Sequence, residues 1–241
     1  MNVEKCPGGF VSRRRIALFR KKLLAWFRVD GRLFPWRKRE VNSFVLLVVE
    51  VLLQRTRAET IAVFLPRFLD RYPGWREIAS SSLDDLEESL RPIGLWRRRA
   101  RSMQGLAREL VALGERWPKQ REGLEQLPAV GQYVANAVQL FVHHQSHPLM
   151  DASMARLLRR YFVILPEKAD IRFDQALHTV AYRVLANGLA IELNWAMLDI
   201  AATYCKPRQP ICPDCPLRRS CAHARSASGR SGQRNAHLPT A

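Results

Sequence analysis

Cys205, Cys212, Cys215 and Cys221 are spaced C-x6-C-x2-C-x5-C within seventeen residues. Thiolate sulfur is a soft donor, and four thiolates this close together suit zinc or an iron–sulfur cluster. Pro207, Pro210, Pro213 and Pro216 interleave with them, so the segment reads as a loop wrapped around a metal and not as a helix. Only one C-x2-C pair is present, unlike the paired C-x2-C knuckles common around structural zinc. Spacing alone leaves zinc and iron–sulfur both open. A disulfide framework is disfavoured, because no signal peptide opens the sequence and cytosolic thiols stay reduced. The expected compartment is the cytoplasm, on the nucleoid if the source is prokaryotic. Cys6 stands alone near the start of the chain.

Two carboxylates stand out for different reasons. Glu50 lies in the run Phe44–Leu53, flanked by Val48, Val49, Val51, Leu52 and Leu53. Such a residue either occupies the one wet face of an apolar helix or faces a cleft, where desolvation favours the neutral acid. Asp151 opens the segment Asp151-Ala152-Ser153-Met154, where an aspartate is first of all a helix N-cap. Upstream, with Gly131 twenty residues before Asp151, comes Leu127-Pro128-Ala129-Val130-Gly131-Gln132-Tyr133, a tight turn opening a helix. Free backbone N–H groups at such a terminus can seat a phosphate, and the alternative is an ordinary helix–helix connection.

The elements that must position these residues read as helices nearly throughout, with no convincing strand alternation. Apolar periodicity predicts helices over 13–28, 43–55, 58–71, 83–90, 96–113, 131–142, 151–162, 172–187 and 190–204. In the first of these, Ile16, Phe19, Leu23 and Phe27 share one face. Val48, Leu52, Val134, Val138 and Leu198 are the expected core. After Cys221 the sequence is small, polar and basic, and is expected to be disordered. The chain has 241 residues, 47% of them hydrophobic, and 39 Lys and Arg against 22 Asp and Glu give a net charge of +17. That excess points to a polyanion, through counterion release from nucleic acid. No apolar run reaches membrane-spanning length, so no membrane partner is expected.

The order of these motifs carries a resemblance. Pro35-Trp36-Arg37 is followed by Glu50-x-x-x-Gln54-Arg55-Thr56, by Ile93-Gly94-Leu95 with a basic helix, by LPAVG, by the Asp151 helix and by the four-cysteine loop. Over roughly residues 25–221 this resembles the helix-hairpin-helix DNA glycosylases of the endonuclease III superfamily. The resemblance implies an all-α fold of two helical lobes with DNA bound in the cleft between them. Residues 37–145 would form a six-helix barrel carrying the hairpin. Residues 1–36 and 146–221 would form the cluster lobe, and 222–241 a basic tail. It also implies that Cys205, Cys212, Cys215 and Cys221 hold a 4Fe–4S cluster rather than zinc. The implied partner is double-stranded DNA with a mismatched or damaged base, bound by a monomer.

Members of this family flip the target base out of the duplex and cut its N-glycosidic bond. Asp151 matches the catalytic aspartate, whose carboxylate stabilises an oxocarbenium-like sugar. Tyr133 stands where bifunctional members have a lysine. Without that amine no Schiff base forms, so the resemblance implies a monofunctional enzyme that leaves an abasic site. Glu50 matches an acid in the base pocket of the adenine-mismatch (MutY-type) and thymine-mismatch branches, where it protonates or hydrogen-bonds the base. Gln54 and Arg55 match the segment that wedges into the base stack. The backbone of Ala129, Gly131 and Gln132 would hold the phosphate beside the lesion. Two departures matter. Ala129 replaces a glycine that permits positive φ. Ser153 stands where both branches carry an asparagine, which shortens one hydrogen-bonding side chain in the DNA-binding site.

The Tyr133, Arg55 and Asp151-Ala152 combination looks more like the thymine-mismatch branch, acting on T or U opposite G. The further C-terminal domain that MutY-type enzymes usually carry is expected to be absent. Tyrosine at the hairpin position occurs in some adenine enzymes, so excision of A opposite G or 8-oxoguanine is the competing expectation. A non-catalytic iron–sulfur DNA-binding protein or an electron carrier is the remaining one. A carrier has no use for a +17 charge, and a scaffold none for an acid inside an apolar helix.

Overall fold

The computed structural model describes residues 11–38 and 40–231. Cys6 and residues 232–241 lie outside the described residues. Twelve α-helices follow one another among the described residues: α1 (Arg13–Asp30), α2 (Ser43–Leu52), α3 (Ala58–Arg71), α4 (Trp75–Ser80), α5 (Leu83–Leu90), α6 (Trp96–Ala112), α7 (Arg121–Glu125), α8 (Gln132–Phe141), α9 (Ala152–Phe162), α10 (Gln175–Leu185), α11 (Ala190–Thr203) and α12 (Ala222–Ser231). No strand occurs among the described residues, so the all-α expectation holds. None of these helices is long and apolar enough to cross a membrane.

The chain divides into two compact units, one of Met1–Arg32 with Ser146–Ala241 and one of Leu33–Gln145. In the second unit α2 packs on α8, and α6 packs on α4 and α5. Two of these helices start on a side-chain cap that the sequence supplies. Asn42 accepts from Val45 N at 3.0 Å to open α2, and Ser82 accepts from Asp85 N at 3.1 Å to open α5. Both side chains satisfy a backbone donor that has no partner inside the helix. Val48, Leu52, Val134 and Val138 are fully buried. The one-turn 3-10 segment Pro35–Arg37 belongs to this unit and packs against α2 through buried Trp36.

In the first unit α11 is central, packing on α1 and α9, while α10 and α12 also lie against α9. Two fully buried polar side chains on α11 have partners within the unit. Asp199 accepts from Arg32 N at 2.9 Å and from Arg32 Nε at 2.7 Å. Asn194 bonds the segment that leads to Asp151.

Several expectations are corrected here. Leu198 is only half-buried, because the inward face of α11 is taken by Leu193, Ala196, Met197 and Ile200. Phe27 is also half-buried, and Trp26 takes the core position on α1. Helix α2 ends at Leu52, three residues short of the predicted 55, in a turn where Arg55 has φ 62°. The short helices α4 and α7 escape a periodicity reading, since neither completes two turns. The segment after Cys221 is not disordered throughout: Ala222–Ser231 is helical. Cys221 O accepts from Arg225 N at 3.2 Å, alanine favours the helix, and Ala224 is buried.

Candidate active site and cysteine loop

Helix α2 buries six consecutive residues, Leu47 to Leu52, and Glu50 among them is only 3% exposed. A carboxylate so placed needs a hydrogen-bond partner to offset lost hydration. It has one: the Tyr133 hydroxyl donates to Glu50 Oε2 at 2.8 Å. Tyr133 lies in the first turn of α8, half-buried, with its hydroxyl turned to the acid. The structure therefore removes the reading of Glu50 as a solvated surface residue. It joins two residues that lie 83 positions apart.

The turn before α8 keeps the shape of a helix hairpin. Val130 N donates to Leu127 O at 3.2 Å, and Gly131 caps α8 with its carbonyl taking Ala135 N at 2.9 Å. Ala129 sits at φ 63°, in the left-handed region. The backbone conformation that glycine makes easy is thus held by an alanine, at a steric cost of roughly 1 kcal/mol. Gln132 follows, half-buried. The Gln54–Arg55 turn directly follows α2, and both residues are exposed. Glu50, Gln54, Arg55, Ala129, Gly131, Gln132 and Tyr133 all belong to the second unit.

Asp151 and Ser153 belong to the first unit. Asp151 caps α9, its Oδ1 accepting from Ser153 N at 2.9 Å and Met154 N at 2.7 Å. The Ser153 hydroxyl lies 2.7 Å from each carboxylate oxygen. Thus Ser153 reaches Asp151 directly despite standing where a longer asparagine was expected. The approach to Asp151 is itself fixed: Leu149 N donates to Asn194 Oδ1 at 2.7 Å, and Asn194 Nδ2 donates to His147 O at 3.0 Å. Sequence reasoning missed Asn194. An amide inside the apolar run Ala190–Ala201 is the same signal that marked Glu50.

The four cysteines come together in the same unit. Cys205, Cys212, Cys215 and Cys221 line one small cavity with Leu157, Arg160 and Tyr204. Burial, and then the neighbouring Cys205 sulfur, push the Cys212 thiol up, while Arg160 and Arg218 pull it down. Cys215 is pushed up to about 11, chiefly by burial, with the other three sulfurs adding to it. Burial and neighbouring sulfurs both disfavour the thiolate form of Cys212 and Cys215, and a bound cation would favour it. Guanidinium groups brace the loop: Arg156 Nε donates to Cys205 O at 2.7 Å, and Arg160 donates to Lys206 O and Pro207 O, each at 2.7 Å. Among the described residues no three His, Cys, Asp or Glu side chains stand at metal-binding spacing. The donor chemistry of four gathered sulfurs fits a thiophilic metal group.

The chain is similar to known proteins over most of its length. The family model described as HhH-GPD superfamily base excision DNA repair protein matches residues 48–181, which include Glu50, Tyr133 and Asp151. A thymine-DNA glycosylase of Aeropyrum pernix is 34% identical over 218 residues, 89% of this chain and 97% of that protein. An adenine DNA glycosylase of Rattus norvegicus is 30% identical over 224 residues, 89% of this chain and 43% of that protein. Among solved structures, a thermostable thymine-DNA glycosylase superposes with a TM-score of 0.80 at 28% identity, covering 88% of this chain and 98% of the other.

Proposed function

Since this chain belongs to the HhH-GPD superfamily of base excision DNA repair proteins, we propose that the DNA glycosylase it constitutes removes thymine or uracil opposite guanine and leaves an abasic site. The observation that carries the monofunctional part is the Tyr133–Glu50 hydrogen bond. The hairpin position offers a phenol already engaged with a buried acid, and a phenol forms no Schiff base with a sugar aldehyde. The thymine part rests on the likeness to the Aeropyrum protein. Uracil is grouped with thymine because it differs only by the missing methyl.

In this reading the C1′–N1 bond breaks with its electron pair leaving on the base, and water supplies the new C1′–O bond. Asp151 faces the developing positive charge on the sugar, its carboxylate oriented by Ser153 and by the first N–H groups of α9. Glu50, held by Tyr133, hydrogen-bonds the edge of the flipped pyrimidine and assists its departure. Gln54 and Arg55 fill the gap in the duplex, and the backbone at Ala129, Gly131 and Gln132 holds a phosphate. The protein acts as a monomer on double-stranded DNA.

Cys205, Cys212, Cys215 and Cys221 would hold a 4Fe–4S cluster. When bound it supplies a covalent tie across the loop, not base-excision chemistry. Four iron per chain with broad visible absorption supports this, and stoichiometric zinc without iron overturns it.

A panel of labelled duplexes containing T:G, U:G, A:G, A:8-oxoguanine and an alkylated base tests the substrate. Cleavage at T:G and U:G only after alkali treatment is expected. Excision of A in place of T and U would move the assignment to the adenine branch. Asp151→Asn should lower turnover by about 10²-fold or more while duplex affinity stays within a few-fold. Efficient borohydride trapping of an enzyme–DNA adduct would remove the monofunctional reading.

A further inference from the structure

The turn that carries Gln54 and Arg55 is not held by its own residues alone. Arg99, in the first turn of α6, points inward and is 8% exposed. Its guanidinium donates from Nη1 to Leu52 O at 2.8 Å, from Nη2 to Gln54 O at 2.7 Å and Thr56 Oγ1 at 2.6 Å, and from Nε to Gly94 O at 3.0 Å. No acidic side chain pairs with it among the described residues, and burial lowers its pKa. The charge is instead met by carbonyl oxygens, including one from the negative C-terminal end of α2.

The four acceptors belong to two turns. One runs from Leu52 to Thr56 and contains Arg55 at φ 62°. The other contains Gly94 at φ 73° and Leu95 at φ 53°, with Leu95 51% exposed. Non-glycine residues at positive φ are strained and persist only where their surroundings over-determine them. One planar fork with fixed donor directions supplies that restraint to both turns at once, which a lysine point charge cannot do.

We propose that Arg99 is a positioning residue that locks the Leu52–Thr56 turn to the Gly94–Leu95 turn, so that Gln54, Arg55 and Leu95 meet the duplex as one rigid projection. Arg99 then acts on opening of the duplex and not on bond cleavage. The DNA part of this inference rests on the proposed wedge role of Gln54 and Arg55, whereas the restraint of the two turns does not.

Arg99→Lys keeps the charge and loses the fork. Limited trypsin digestion of the intact protein reads the restraint without DNA, and cleavage after exposed Arg55 should accelerate about tenfold or more as the turn loosens. Single-turnover excision from a paired T:G duplex should fall about 30-fold, with excision from a bubble that leaves the target unpaired within about threefold of wild type. Enhanced 2-aminopurine fluorescence next to the target should drop in parallel. Unchanged trypsin cleavage at Arg55 overturns the restraint itself. Faster cleavage with unchanged duplex excision and fluorescence overturns the wedge role and leaves the restraint standing. Equal losses on duplex and bubble overturn the assignment to duplex opening. Thr56→Val, which removes one acceptor and leaves the guanidinium in place, guards against a failure of Arg99→Lys to fold. It should show the same duplex-selective loss at smaller amplitude, and no effect from it counts against the proposal.

Discussion

In the second unit a buried carboxylate carries the chemistry, and an alanine in a glycine conformation carries backbone strain. Glu50 has lost its water and gained the Tyr133 hydroxyl. Glu50→Gln preserves the shape and still accepts that hydroxyl, so the fold should survive. Excision should fall about 10²-fold, because the amide neither carries charge nor exchanges a proton with the base. Measuring single-turnover rates beside duplex affinity separates the two effects, and a rate within about threefold of wild type would deny Glu50 its role. At Ala129 the strain is backbone, not chemistry. Ala129→Gly removes the Cβ from a residue at φ 63° and should stabilise the protein by about 1 kcal/mol. Thermal unfolding should show a rise of roughly 2–4 °C, and a lower midpoint would mean that the alanine methyl contributes packing which outweighs its strain.

At the scale of elements, caps and loop anchors decide where helices begin. Asp174 is 1% exposed, accepting from Glu167 N at 2.6 Å, Lys168 N at 3.3 Å and Leu177 N at 3.1 Å. Burial alone pushes this carboxyl up, but the backbone donors together outweigh it and hold it below the usual range. A depressed pKa contributes stability that is present above the unfolded value, about 3.9, and is lost as pH falls through the lower folded value. Urea unfolding of the wild type should therefore weaken below about pH 4, and Asp174→Asn should flatten that slope while costing about 1–2 kcal/mol at neutral pH. An unchanged slope would place the acid sensitivity elsewhere. The same scale explains what the sequence could and could not tell. Glu50 was legible because its neighbours are all apolar. Its bond to Tyr133 was not, since nothing local links residues 83 apart. Arg99 was hidden in the row Arg97-Arg98-Arg99. Only the phase of α6 selects which of the three turns inward, and that phase depends on where the helix starts. Likewise the end of α2 escapes the periodicity, because the carbonyls of Leu52 and Gln54 are drawn off by a guanidinium more than forty residues away.

At the scale of the whole molecule the dominant quantity is charge. A net +17 destabilises the folded chain through self-repulsion and is offset when a polyanion is bound. Duplex affinity should therefore fall by roughly 10²-fold or more between about 50 and about 200 mM salt, as condensed counterions compete for the phosphates. The cysteine loop sharpens this expectation. Lys206, Arg208, Arg218 and Arg219 are exposed on it, while Arg156 and Arg160 are engaged by its backbone carbonyls. The exposed cations are thus available to phosphate and the bracing ones are not. Replacing Lys206 and Arg208 together by alanine should lower the slope of log affinity against log salt by about 1 for each phosphate no longer neutralised, uniformly across matched and mismatched duplexes. The T:G excision rate at saturating enzyme should stay unchanged. If the slope is preserved, the loop does not meet the backbone and its four sulfurs serve stability alone. If the slope falls only on mismatched duplexes, the loop takes part in recognition and not merely in docking.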